Sequence, residues 1–180
     1  MAPERHPLVM TGLLLAAALL LPTPLPAQAR TPGEVEVGSQ LRDAPLRALA
    51  GEGKRLADYR GKPLIINVWA SWCGPCRAEM GALERLARRF GGREFNVIGI
   101  STDDDGRAAA AFLRQAGVTF PNYLDDRQLL ENMLGADRIP LTLLIAPDGR
   151  VLRKVGGSRA WDSPEAVRFI GAVFGLKLPD

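Results

Sequence analysis

Two cysteines, Cys73 and Cys76, stand close together in the stretch Trp69-Ala70-Ser71-Trp72-Cys73-Gly74-Pro75-Cys76, and the chain has no others. The apolar run Leu64-Ile65-Ile66-Asn67-Val68 precedes them, and a segment with helical hydrophobic spacing follows. Any fold of this chain must therefore place both thiols at a strand-to-helix junction. With a helix starting near Gly74, Cys73 lies at its N-terminal end, where unpaired backbone N–H groups and the helix dipole favour the thiolate. Cys73 is then the attacking nucleophile. Cys76 lies one turn further in, on the same side and less exposed, placed to resolve a mixed disulfide formed at Cys73.

A Cys-x-x-Cys pair also serves as half of a zinc site. Zinc takes four ligands, usually Cys or His, whereas this chain offers two cysteines and the single His6. The pair reads first as a redox dithiol, with zinc binding and a purely structural pair as the alternatives.

The 180 residues suffice for one domain with a filled core. The 23 basic and 20 acidic residues are dispersed, for a net charge of +3, and no basic block with interleaved aromatics supports nucleic-acid binding. The N-terminus has the form of an export signal. Arg5 is followed by an apolar stretch over residues 8–21, then by Pro22, Pro24 and Pro26, and Ala27-Gln28-Ala29 fits a small-x-small cleavage site. That apolar stretch is short of the about twenty residues a spanning helix needs, so retention as a membrane anchor is the secondary reading. The expected organisation is a signal peptide over 1–29, a linker over 30–36 and one domain over 37–176. Cleavage removes His6, and with it catalysis or metal ligation by histidine.

Along the domain, Leu46 to Leu56 with Gly51-Glu52-Gly53 between predicts a short hairpin, and residues 57–59 a helical turn. Residues 64–68 and 95–100 predict buried strands joined by a helix over 74–90 in a parallel βαβ unit. On that helix Met80, Leu83, Leu86, Ala87 and Phe90 form the apolar stripe, with Arg77, Glu84, Arg85, Arg88 and Arg89 between them as polar positions. Helices follow over 107–116 and 128–134, with an extended piece around Phe120 to Tyr123. Residues 141–145 and 151–155, joined by Pro147-Asp148-Gly149, predict a hairpin, and 163–174 a final helix with Pro164 in its first turn. The fold class is α/β, a mixed sheet flanked by helices.

The Trp72-Cys73-Gly74-Pro75-Cys76 motif resembles the active site of the thioredoxin superfamily. The order of elements resembles its exported TlpA-like or ResA-like branch over residues 37–170, with Gly61-Lys62-Pro63, Asn67-Val68-Trp69-Ala70, Arg77-Ala78-Glu79-Met80, Ile139-Pro140-Leu141-Thr142 and Pro147-Asp148-Gly149 as secondary matches. The resemblance implies a thioredoxin-like fold with an N-terminal hairpin extension. It implies catalytic Cys73 and Cys76 framed by Trp72, Gly74 and Pro75, and a cis bond at Ile139-Pro140 facing the dithiol, with Ile139 offering its backbone to an extended substrate. It also implies a glutamate, Glu79, near the dithiol, which raises thiol pKa values by like-charge repulsion or carries the resolving proton; the plain alternative is a solvated helix carboxylate. Plain thioredoxin has a buried aspartate where this chain has Asn67. Gly81 stands where many relatives have proline, which leaves the placing of Glu79 open. Asp103-Asp104-Asp105-Gly106 fails as an EF-hand, because the twelfth position is Phe112 rather than Glu; Asp105 is expected to cap a helix instead.

The function so implied is an exported thiol:disulfide oxidoreductase that reduces protein disulfides, with cytochrome c maturation as its setting. It needs no cofactor beyond the Cys73–Cys76 pair. Its partners would be disulfide-bearing exported proteins such as apocytochrome c and a membrane thiol transporter as electron donor, with no nucleic acid. A disulfide oxidase or isomerase is the alternative of the same chemistry. A Cu(I) carrier for a respiratory copper site is the alternative of another class.

Overall fold

The computed structural model describes residue 1 and residues 33–179; apart from residue 1, the signal segment expected over 1–29 lies outside the described residues. Seven strands form one sheet in the order β2-β1-β5-β4-β3-β6-β7, with β1 Pro45–Ala48, β2 Lys54–Arg55, β3 Leu64–Trp69, β4 Asn96–Ser101, β5 Asn122–Leu124, β6 Leu141–Ile145 and β7 Val151–Gly156. The central trio β3, β4 and β5 is parallel, and β6, β7 and the β1–β2 hairpin add antiparallel strands at either side. The helices are α1 Gly74–Phe90, α2 Gly106–Ala116, α3 Leu129–Leu134 and α4 Pro164–Phe174, with a 3-10 turn over Leu56–Tyr59.

Every residue of β3 is buried, because both faces of the sheet are covered. Ile65 and Trp69 pack with Met80, Leu83 and Leu86 of α1, Leu113 of α2, and Val167 and Ile170 of α4. Leu64, Ile66 and Val68 point the other way, toward Leu41, Leu56 and Leu134. Alternation along the strand thus aims Asn67 at the α1 side. Its antiparallel partner across the sheet is Thr142 of β6. The close packing here is visible at Gly99 on β4, where a Cβ would fall 1.8 Å from Asn122 Oδ1 and 2.9 Å from Trp69 Nε1.

Helix termini follow local chemistry. Asp105 caps α2 by accepting the Arg107 N–H, as expected, and Gly117 ends it in the left-handed region at φ 66°. Ser163 caps α4 through the Ala166 N–H, with Pro164 in the first turn.

Two boundaries differ from the sequence expectation. Residues 34–36 are not linker: Val35 is buried, donates its N–H to Met133 O at 2.8 Å, and Glu34 pairs with Lys154 at 2.6 Å. The packed chain also runs past 176, since Leu178 lies against the core and Arg89 bonds the Pro179 carbonyl. Both segments lack a periodic signal because they are held by contacts to distant strands and helices. Glu84, one of the polar positions between the apolar stripe residues of α1, is buried. Its carboxylate accepts the Thr119 N–H and hydroxyl, both at 2.7 Å.

Candidate active site

No Ser, Thr or Asp opens α1; the cap is Cys73 itself. Its Sγ accepts the Cys76 N–H at 3.2 Å, and Gly74 and Pro75 form the exposed first turn. Proline suits that turn because its missing N–H would find no partner there. Cys73 and Cys76 are joined as a disulfide with Cα atoms 5.3 Å apart. Cys76 is fully buried and Cys73 is 6% exposed, while Trp72 beside them is 70% exposed. On reduction, the bond from the Cys76 N–H and the helix N-terminus both favour a thiolate at Cys73.

The Ile139–Pro140 peptide bond is cis, as the resemblance led us to expect. The Ile139 carbonyl oxygen lies 3.9 Å from Cys73 Sγ.

Glu79 is not a solvated carboxylate. It is 1% exposed, one turn beyond Cys76 on the same face of α1. Three donors converge on it: Asn67 Nδ2 at 2.8 Å on Oε1, and Trp161 Nε1 at 2.9 Å and the Arg159 N–H at 3.0 Å on Oε2. Burial pushes its pKa up, and these hydrogen bonds offset only part of the rise. The enclosure therefore favours the protonated form more than water does for an ordinary glutamate. Gly81 does not prevent this placement.

Sequence reasoning missed three contributors. Asp103, buried at the end of β4, accepts the Ser71 N–H at 2.9 Å and the Ser71 and Ser101 hydroxyls at 2.6 Å, tying down the turn that leads into the dithiol. Trp161 and Thr142 surround Glu79 and Asn67 from the far end of the chain. An acidic triplet was the only local signal for Asp103; Thr142 stood in the Ile139-Pro140-Leu141-Thr142 match with no role assigned, and nothing local marks Trp161.

Among the described residues no group of three or more His, Cys, Asp or Glu side chains is arranged to hold a metal ion. No described helix is long and apolar enough to cross a membrane.

Residues 37–154 match the AhpC/TSA family. The chain is similar to the thiol-disulfide oxidoreductase ResA of Geobacillus thermodenitrificans, at 32% identity over 69% of this chain and 71% of the relative. It is also similar to ResA of Bacillus subtilis, at 29% identity over 88% of this chain and 89% of the relative. Among solved structures it resembles a Chlorobium tepidum protein assigned as the thiol:disulfide interchange protein DsbE. That match has a TM-score of 0.71 at 26% identity, covering 78% of this chain and 99% of the other. The mixed sheet and its helices are thus a thioredoxin-like fold.

Proposed function

The chain belongs to the AhpC/TSA family as a thiol:disulfide oxidoreductase similar to ResA, and from that premise we propose that it works as an exported reductant of protein disulfides. The observation that carries this reading is the disulfide at the head of α1, with its less buried sulfur capping the helix and the other enclosed one turn on. Cys73 thiolate attacks a substrate disulfide, forms the mixed disulfide and releases one substrate sulfur as a thiolate. Cys76 then gives up its proton, attacks Cys73 Sγ and displaces the second substrate sulfur. Two substrate thiols are formed and the enzyme dithiol is oxidised to its disulfide. No cofactor is required; the dithiol is restored by a membrane thiol transporter.

Glu79 takes the Cys76 proton during resolution and passes it to the departing substrate thiolate. Its enclosure one turn from Cys76 supports that role. An extended substrate segment lies along the Ile139 backbone beside the cis-Pro140 bond. The leader-like N-terminus supports export, and the ResA-like resemblance supports apocytochrome c as substrate.

The direction rests on Gly74-Pro75, which adds no cation beside Cys73 to stabilise the reduced form. Equilibration against glutathione is expected to leave the protein more reducing than strongly oxidising disulfide donors; a potential in their range would reassign it as an oxidase. Replacing Cys76 by serine is expected to accumulate mixed disulfides with substrates, whereas Cys73→Ser accumulates few. Mass spectrometry of the adducts names the substrates. Equal trapping by both variants would contradict the assigned roles, and trapping by neither folded variant would contradict thiol exchange.

A further inference from the structure

Asn67 presents a problem of hydrogen-bond accounting. Its side chain is fully buried, and Nδ2 uses both hydrogens, one on Glu79 Oε1 at 2.8 Å and one on Thr142 Oγ1 at 3.0 Å. Its Oδ1 is buried with no donor among the described residues. Buried polar atoms are nearly always paired, because an unpaired one forfeits its hydration without return. Among the described residues, then, the donor end of the carboxamide is fully used and its acceptor end is not.

The groups around Glu79 give that acceptor a use. Among the described residues, the other partners of Glu79 are fixed donors, the Arg159 N–H and Trp161 Nε1. These suit a carboxylate, but none can accept a proton from the acid. A carboxamide is different, because its two ends have nearly the same shape and opposite hydrogen-bonding character. We propose that Asn67 is a positioning residue that serves Glu79 in both protonation states, donating through Nδ2 to the carboxylate and, after a half-turn of its amide, accepting through Oδ1 from the carboxylic acid. Thr142 suits both orientations, because a hydroxyl accepts from Nδ2 in the first and donates to Oδ1 in the second, while the half-turn carries Nδ2 to the place Oδ1 now holds. This inference rests on the reading of Glu79 as proton acceptor for Cys76.

The exchange balances. Cys76 S–H loses its proton to a Glu79 oxygen, and the resulting thiolate attacks Cys73 Sγ. The Cys73–substrate bond breaks, its electron pair leaves on the substrate sulfur, and that thiolate takes the proton back from Glu79. The amide turns once in each direction. The charged group acting on Glu79 is Arg159 from the loop after β7, and Cys76 stands one turn before it on α1; β3 and β6 contribute the neutral Asn67 and Thr142, and Trp161 is neutral too. The pairing also accounts for asparagine rather than aspartate at position 67, since a second carboxylate in hydrogen-bond contact would force a shared proton and leave the pair unable to cycle independently.

The test uses the full chain in its reduced form, with labelled glutamate carboxyls and asparagine amides followed by NMR across pH. The Asn67 side-chain N–H signals are expected to shift with the same midpoint as the Glu79 carboxyl, and Glu79→Gln is expected to make them pH-independent. In single-turnover reactions, Asn67→Leu is expected to slow release of substrate from the Cys73 mixed disulfide about tenfold, the equivalent of one pKa unit. The attack rate measured in a Cys76→Ser background should not change. Amide signals that stay flat through the Glu79 titration, or an unslowed Asn67→Leu, overturn the inference. The NMR experiment needs no folded Asn67 variant. If Glu79→Gln itself resolves mixed disulfides at the unmodified rate, the reading of Glu79 fails; if it is slow while the Asn67 signals stay flat, only the role of Asn67 fails.

Discussion

Glu79 and Glu84 are buried on the same helix, yet their surroundings push them in opposite directions. For Glu79, burial outweighs three donors and raises the pKa. For Glu84, burial again pulls upward, but the Arg88 guanidinium and the Thr119 N–H and hydroxyl outweigh it, and the pKa falls. Linkage turns this into opposite pH dependences of stability. A carboxyl with a raised folded-state pKa binds protons more tightly when folded, so it loses stability as pH rises from the ordinary glutamate value through the raised one. A carboxylate with a lowered pKa contributes stability above the ordinary value and loses it as pH falls through the folded one. Urea unfolding over a pH series is therefore expected to show Glu79→Gln flattening the decline above the ordinary glutamate pKa. The same series should show Glu84→Gln flattening the loss on the acid side. Curves parallel to that of the unmodified protein would contradict both assignments.

At the scale of elements, the site depends on how parallel strands end together. Trp69 and Ser101 are register partners at the C-terminal ends of β3 and β4, so the turn into α1 emerges beside the turn into α2. Asp103 spans that gap by accepting the Ser71 N–H and two serine hydroxyls. Removing it takes the acceptor from the buried Ser101 hydroxyl and the half-buried Ser71 donors, and Asp103→Ala is expected to cost about 3 kcal/mol in denaturant unfolding. It is also expected to slow Cys73 attack, because the loop carrying the nucleophile loses its tether. An unchanged unfolding midpoint would show that the Asp103 bonds carry no net stability.

Across the whole molecule, the segment before β1 is part of the domain. It bonds to β7 through the Gly38 N–H on Val151 O and the Val151 N–H on Ser39 O, at 2.7 and 2.9 Å, covering an outer strand that would otherwise present unpaired groups. Leu41, 5% exposed, plugs the face of the sheet opposite the dithiol. Leu41→Ala is expected to lower stability by about 2–5 kcal/mol, as for other buried leucines, while leaving the rate of Cys73 attack in folded protein unchanged. A loss below about 0.5 kcal/mol would mean the segment is only loosely attached.

The amino-acid sequence by itself determined what depends on near neighbours. Helical spacing from Met80 to Phe90, an uninterrupted apolar run before the cysteines, Gly and Pro at the turns and the Cys73–Cys76 interval were sufficient for the strand-helix-strand frame and the position of the dithiol within it. Ile139-Pro140 was legible only through resemblance, because a proline at the head of a strand is usually trans. The tertiary structure alone decided the state of Glu79. Its environment comes from Asn67 on β3, Arg159 beyond β7 and Trp161 before α4, and Thr142 reaches it only through Asn67. Desolvation and hydrogen bonding depend on which groups meet in space. Helical periodicity could place Glu79 one turn from Cys76, but no local pattern shows that the strands and loops around it enclose the carboxylate and supply its partners.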